Sequence, residues 1–371
     1  MTTAAHAGLL RPSVLATGAY VPGVSAAEVK ARFGRDDLLR LNWNENLLGP
    51  LPGVLAEVAA ALDSVWAYPE EAYEQFRHAV AGWTGADPVS VIPGHGIQAL
   101  TLALVAAFVE PGEAVIVPRP TYGLYAQACA AAGAQVVRVD GHAGSFALDL
   151  EAIADRATAH HAKLVWICDP NNPTGLSLTA ADWTAFLDAL PAGCIAIADE
   201  AYGDYVDHAR RIDRLADVRG GRSVIVMRTF SKIFGLAGLR LGYLLVHESL
   251  APHLHSVQEP FNVNRAALAA GITSLRRTEL LPARREQARR GRDRLTAPLA
   301  ALGLHVTVSE ANFVLIDVHG DDVRVADALA REGILVRAGT ELGLPGHIRV
   351  TTADEELMDV VGARIAELVA R

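Results

Sequence analysis

The 371 residues suffice for one large domain and a smaller one, each with its own core. About half of them are hydrophobic (51%) and 20% are charged, a balance that fits a compact, soluble protein. The net charge of −9 excludes general nucleic-acid binding, which needs a basic face. The lack of any uncharged apolar run of about 18 residues excludes a membrane span.

Met1 to Ala16 lacks the charged start and apolar stretch of a leader, so a cytoplasmic address is expected. Cys129, Cys168 and Cys194 have apolar surroundings and no metal-ligand spacing. They read as small core residues, and no metal is expected.

Tyr20-Val-Pro-Gly23 is a turn signal, and Ser25 is a helix N-cap before Ala26 to Phe33. Leu41-Asn-Trp-Asn-Glu-Asn46 follows, ahead of Gly49-Pro50, either as a hydrogen-bonded arm or as a ligand contact. Helices are expected over Val54 to Leu62 and Ala72 to Trp83, separated by a break at Tyr68-Pro-Glu70. Val89 to Ile92 reads as a strand that runs through Pro93-Gly-His-Gly96 into the helix Ala99 to Val109. Free amides and the helix dipole would make that junction, Gly96-Ile97-Gln98, an anion site.

Strands at Ala114 to Val117, Gln135 to Val139, Leu164 to Cys168, Cys194 to Ala198, Ser223 to Met227 and Leu241 to Val246 then alternate with helices at Tyr122 to Ala132, Leu150 to His160 and Ala180 to Leu190. That alternation predicts an α/β fold around a mostly parallel sheet covered on both faces. After Val246 come a long helix, Leu280 to Leu302, whose six arginines read as a solvated face, and strands at His305 to Val308 and Asn312 to Val318. A helix Val323 to Glu332, strands Ile334 to Arg337 and His347 to Thr351, and a helix Glu355 to Ala370 complete a small α+β domain. The expected division is an arm, 1–37, belonging to the small domain, a large domain, 38–265, and a small domain, 266–371.

The chemistry centres on Thr229-Phe-Ser-Lys-Ile-Phe-Gly-Leu-Ala-Gly-Leu-Arg240. Lys232 lies just past the end of a buried strand, where open α/β sheets place ligands, and Thr229, Ser231 and Arg240 flank it. An amine beside phosphate-holding groups suggests Schiff-base chemistry. Taken singly, Cys168-Asp-Pro-Asn-Asn-Pro-Thr-Gly175 reads as a turn and Asp199-Glu-Ala-Tyr202 as a cap with a core tyrosine. Together they deliver polar groups at neighbouring strand ends, and a cofactor with a phenol, a ring nitrogen and a phosphate uses all of them. Pyridoxal phosphate has those groups. Asp199 would keep its ring nitrogen protonated, Asn172 and Tyr202 would bind its phenolic oxygen, and Thr229, Ser231, Arg240 and the amides of Gly96, Ile97 and Gln98 would hold its phosphate.

Asn172-Pro-Thr-Gly175, Asp199-x-x-Tyr202 and Ser231-Lys-x-x-Gly-x-x-Gly-x-Arg240 resemble the signature of the class I/II, fold type I, pyridoxal-phosphate-dependent aminotransferases. Within them the chain is most similar to the histidinol-phosphate group, through Tyr20 to Gly23, Leu41 to Pro50, Tyr68 to Glu70, Pro120 to Tyr125 and Pro260 to Asn264. The resemblance implies a fold type I large domain with a seven-stranded sheet, a homodimer with shared sites, and transfer of an amino group from histidinol phosphate or an aromatic amino acid to a 2-oxo acid such as 2-oxoglutarate. The alternative is a decarboxylase resembling threonine-phosphate decarboxylase.

The resemblance also implies roles for single residues. Tyr122 would stack on the cofactor ring, and Tyr68 would reach the phosphate in the other subunit. Arg349, assisted by Arg337, would take the substrate anion, with Tyr20 and Asn44 lining the substrate side. Trp43 and Ile97 depart from the pattern: Trp43 would favour an aromatic substrate, and Ile97 would remove a side-chain contact to the phosphate.

Overall fold

The computed structural model describes residues 9–18, 23–70 and 72–370. Its strands are β1 (Leu39–Arg40), β2 (Val91–Gly94), β3 (Ala114–Arg119), β4 (Gln135–Asp140), β5 (Leu164–Cys168), β6 (Ile195–Asp199), β7 (Val224–Thr229), β8 (Gly242–Leu245), β9 (Phe313–Asp317), β10 (Ile334–Leu335), β11 (Arg337–Ala338) and β12 (His347–Thr351). Seven of them form one sheet in the order β2-β8-β7-β6-β5-β3-β4. Only β8 runs against its neighbours, β2 and β7; the other pairs are parallel.

Alternation along the central strands builds a core on each face. Val165 and Ile167 point to one side and Leu164, Trp166 and Cys168 to the other; Val224 and Val226 oppose Ile225 and Met227 in the same way. Each fully buried aliphatic side chain stabilises the fold by about 1.5–3 kcal/mol relative to exposure. The three cysteines lie buried in these layers.

The sheet's carboxyl ends converge because β5, β6 and β7 are neighbours in register, with Cys168 opposite Asp199 and Asp199 opposite Met227. A second sheet, β11-β12-β9, is antiparallel, and β1 pairs in parallel with β10. Leu41 packs in the core of this second unit with Val314, Ile316, Ile348 and Val350. The N-terminal helix Ala26–Phe33 carries a full capping box, Ser25 with Glu28, and Val29 packs with Ala330 and Leu335.

Three expectations need correction. His305 to Val308 makes only an isolated bridge, Val306 to Ile316, because the Thr307 hydroxyl donates to Thr174 O (2.7 Å) and Glu310 N to Gly175 O (2.8 Å), which draws the segment away as a loop. Ile334 to Arg337 is two short strands, one pairing with the arm and one with β12. The arginines of helix Leu281–Ala301 also divide. Arg289, Arg290 and Arg294 pair with acids at the surface, while Arg284, Arg285 and Arg292 turn inward to backbone carbonyls.

Helix Arg265–Leu275, which has no counterpart among the expected elements, packs on helices Val54–Leu62 and Glu74–Thr84 and adds Ala267 and Ala270 to the large core. Among the described residues, no helix is long and apolar enough to cross a membrane, and no cluster of metal-ligating side chains is assembled.

Candidate active site

Lys232 follows β7 by three residues, in a tight loop closed by Gly235 N donating to Lys232 O (3.0 Å). Gly235 has φ +71°, and a Cβ there would stand 2.1 Å from Gly49 O, so only glycine lets the lysine loop lie against the arm. The lysine Nζ donates to the carbonyls of Trp43 (3.2 Å) and Asn44 (3.1 Å) and sits 5.3 Å from the centre of the Tyr202 ring. Burial pushes this amine down to about 7, and the guanidinium of Arg349 adds to the effect. It is therefore balanced between ammonium and free base near neutral pH.

Asp199 ends β6 and is buried. It accepts from Ala201 N (2.9 Å) and from the hydroxyl of Tyr125, and among the described residues it forms no ion pair. Burial raises it to about 6, against the pull of the Tyr125 donor. Tyr125, itself fully buried, lies flat on Trp166 (4.7 Å between centroids, 8° between planes), and Tyr122 meets it edge-on at 5.4 Å. Sequence reasoning passed over Tyr125 as a site residue. The available signal was a tyrosine on an otherwise small and apolar helix, whose buried hydroxyl needs an acceptor.

Tyr202 is buried, and its hydroxyl accepts from Asn44 Nδ2 (2.9 Å). Asn44 is held at φ +54°, and its N–H donates to Thr351 Oγ1 (3.0 Å), which ties the arm to β12. Arg349 on β12 donates to Asn172 Oδ1 (2.6 Å) and Asn42 O (2.7 Å) and lies 5.4 Å from the ring of Phe313. Arg337 stands opposite it on β11 and pairs with Glu341 at 2.8 Å.

On the far side of Lys232, Arg240 donates to Gln98 Oε1 (3.3 Å) and reaches Ser231 Oγ at 3.5 Å, while Thr229 and Ser231 share a 3.0 Å hydroxyl contact. Gly96 opens helix Gly96–Phe108, and no side chain caps that helix. At φ +73°, a Cβ on Gly96 would stand 2.8 Å from the Arg240 guanidinium. Glycine there lets cation, hydroxyls and uncapped amides face one point. Gln98 Nε2 also donates to the hydroxyl of Tyr122 (3.3 Å), while the Ile97 side chain is buried in the core.

Beneath the site, Arg214 binds both Asp169 and Glu200 (2.9 Å to Glu200), and Arg228 binds Glu200 at 2.7 Å. Two guanidiniums hold the Glu200 carboxyl down at about 2 despite its burial. This four-membered network joins the residues that follow β5 and β6 to a residue within β7.

The structure thus gathers Lys232, Asp199, Tyr202, Asn172, Asn44, Arg349 and Arg337 on one side and Gly96, Gln98, Tyr122, Thr229, Ser231 and Arg240 on the other. Trp43 lends its carbonyl, while its ring lies 4.6 Å from the Arg40 guanidinium. Tyr68 stands apart, 77% exposed and stacked on Phe261 at 4.7 Å. Tyr20 lies outside the described residues. A buried carboxylate with neutral donors only, an uncapped helix start beside Arg240 and a half-neutral lysine fit the ring nitrogen, phosphate and aldehyde of pyridoxal phosphate.

The family model for aminotransferase class I and II matches residues 36–365. Histidinol-phosphate aminotransferase of Symbiobacterium thermophilum is 38% identical, covering 94% of this chain and 95% of its own. The enzyme of the same name from Moorella thermoacetica is 34% identical, covering 97% and 93%. The crystal structure of histidinol-phosphate aminotransferase from Sinorhizobium meliloti in complex with pyridoxal-5'-phosphate superposes with a TM-score of 0.88 at 28% identity, covering 97% of each chain. These matches accord with transamination and give the decarboxylase alternative no support. The chain belongs to the class I and II aminotransferase family, with pyridoxal phosphate as its cofactor and amino-group transfer as its reaction.

Proposed function

We propose that this enzyme takes its amino group from histidinol phosphate and passes it to a 2-oxo acid such as 2-oxoglutarate. The observation that carries this reading is the convergence on Lys232, three residues past β7, of the buried Asp199 carboxyl that ends β6 and the buried Arg349 of β12. Relatives of that name over nearly the full chain support the choice of donor.

When bound, pyridoxal phosphate supplies an electron sink for the bond being broken. Lys232 Nζ would hold the cofactor and, when free, would move the proton at the substrate carbon; burial that lowers the amine to about 7 suits a group that must both accept and donate. Asp199 would hold a proton on the ring nitrogen. Asn172 and Tyr202 would donate toward the phenolic oxygen, and Tyr122 would pack against the ring. Arg240, Ser231, Thr229 and the amides of Gly96 to Gln98 would hold the phosphate.

Arg349 and Arg337 would orient the substrate anion, with Asn44 beside it. Tyr68 completes the phosphate site of a second subunit in a homodimer. Its exposure, next to Trp66 at 86%, supports that role. The arm 1–37 continues through Leu39–Leu41 into a small domain with the chain beyond helix Arg265–Leu275, that helix belongs to the large domain, and the enzyme works in the cytoplasm.

Lys232→Ala tests the reading: the visible cofactor band that borohydride removes, and turnover, are both expected to vanish. Normal turnover in that variant overturns it. With 2-oxoglutarate as acceptor, glutamate formation is expected to be fastest from histidinol phosphate; faster turnover of phenylalanine or tyrosine refutes the choice of donor.

A further inference from the structure

Helix Leu281–Ala301 carries arginines that the chemistry above does not use. On its outer side Arg289 pairs with Glu286 and Asp293, Arg290 with Glu355, and Arg294 with Asp359. Arg284, Arg285 and Arg292 differ, because among the described residues none of them forms an ion pair. Each instead donates to one backbone carbonyl in a different loop. Arg284 Nη1 reaches Ile233 O at 2.8 Å, directly after Lys232, where Asn46 Nδ2 donates as well (3.0 Å). Arg285 Nε reaches Asp204 O at 3.0 Å, two residues past Tyr202. Arg292 Nη1 reaches Ala311 O at 2.6 Å, directly before Asn312. Asn312 in turn donates to the carbonyls of Asn44 (3.2 Å) and Glu45 (3.3 Å), and Asn44 O accepts from Lys232.

One further contact fixes the helix. Gly291 lies between these arginines, and a Cβ there would stand 2.5 Å from Ala353 O, two residues past the end of β12. The helix backbone is therefore pressed against the segment that follows the Arg349 strand. Burying guanidiniums on neutral carbonyls forgoes the compensation a carboxylate gives. For stability alone a packed apolar residue serves as well, so what the cations add is direction.

We propose that Arg284, Arg285 and Arg292 are positioning residues, and that this one helix sets the Lys232, Tyr202 and Asn312 loops in mutual register. The proposal rests on the assignment of Lys232 above. It deepens that assignment by naming what holds the amine in place.

The test compares Arg284→Met, Arg285→Met and Arg292→Met with the outward Arg289→Met, Arg290→Met and Arg294→Met, which remove the same charge from the same helix. In the cofactor-free protein, the pH midpoint of Lys232 labelling by an amine-reactive reagent, read by mass spectrometry, is expected near 7 in the wild type. It is expected to rise toward the ordinary lysine value in the inward variants. In the holoenzyme, kcat is expected to fall roughly tenfold or more, about 1.4 kcal/mol or more, with KM little changed. The outward variants are expected to match the wild type. Arg284→Lys, which keeps a donor near Ile233 O, is expected to restore the midpoint in part.

Inward variants that lose melting temperature while keeping the wild-type midpoint and kcat overturn the proposal. Should Arg284→Met fail to fold, the half-buried Arg285 and Arg292 decide it by the same readings. A visible band that survives Lys232→Ala would sink the Lys232 assignment instead, so the two failures are distinguishable.

Discussion

Tyr125→Phe removes a buried hydroxyl that bonds Asp199 and also reaches the Cys168 thiol. The variant keeps the ring that stacks on Trp166 and removes only the hydroxyl that donates to Asp199. Burial holds the Asp199 carboxyl at about 6, and the Tyr125 donor opposes a further rise. A hydrogen bond to a buried charged group contributes about 1.5–3 kcal/mol, and about 1.36 kcal/mol corresponds to one pKa unit. Losing it raises Asp199 by roughly one to two units.

The sign follows from which form binds. In the proposed role the ionised carboxylate of Asp199 would pair with the protonated ring nitrogen, so a carboxyl that titrates higher would weaken cofactor binding near neutral pH. At pH 7, wild-type Asp199 is about nine-tenths ionised and the variant's only about one-tenth to one-half, which predicts a two- to tenfold weaker cofactor Kd. The assay is a fluorescence titration of cofactor-free protein with pyridoxal phosphate across pH 5 to 9. Affinity is expected to fall on the acid side with a midpoint near 6 in the wild type and one to two units higher in the variant. Superimposable acid limbs for the two proteins would refute the reasoning.

Two further outcomes are expected. Gly96→Ala puts a methyl group 2.8 Å from the Arg240 guanidinium at a left-handed φ, a backbone penalty of about 1–2 kcal/mol before any displacement of the arginine. Its cofactor Kd, measured by absorbance titration, should rise roughly tenfold or more, and an unchanged Kd would show that Arg240 does not need this approach. Glu200→Gln removes the carboxylate shared by Arg214 and Arg228 and leaves buried positive charge uncompensated, a loss on the order of 3–5 kcal/mol in urea unfolding of the holoenzyme. A loss under about 1 kcal/mol would mean that Asp169 alone balances the pair.

The strands were readable because they are short apolar runs bounded by turn residues; Leu164–Cys168 in the large sheet and His347–Thr351 in the small one match expectation residue for residue. Helix Val54–Leu62 does so as well. The two-residue strand Leu39–Arg40 left no periodic trace, because its pairing with Ile334–Leu335 is a tertiary event. Helix Arg214–Arg219 is too short to show a period. Helix Arg265–Leu275 begins from Asn264, whose side chain accepts from Ala267 N, and that cap stood unread behind Pro260 to Val263.

The site followed the same division. Lys232, Asp199, Tyr202 and Arg240 sit at fixed spacings along the chain and could be read there. The partnership of Tyr125 with Asp199, and the inward turn of Arg284, Arg285 and Arg292, depend on which face of a helix meets which loop, and one-dimensional spacing does not carry that.

The pairing of the arm with the far end of the chain has a consequence for synthesis. Asn44, whose carbonyl receives Lys232, is held by Thr351, 307 residues later, and Leu41 O accepts from Thr351 N (2.9 Å). A ribosome needs on the order of tens of seconds to make the intervening chain. Through that interval the nascent polypeptide can pair β5, β6 and β7 and offer Tyr202 and Lys232 to Asn44, but it lacks the Thr351 hydroxyl that fixes the Asn44 backbone. The Lys232 amine is therefore among the last groups to reach its native surroundings, which are complete only after β12 has left the exit tunnel.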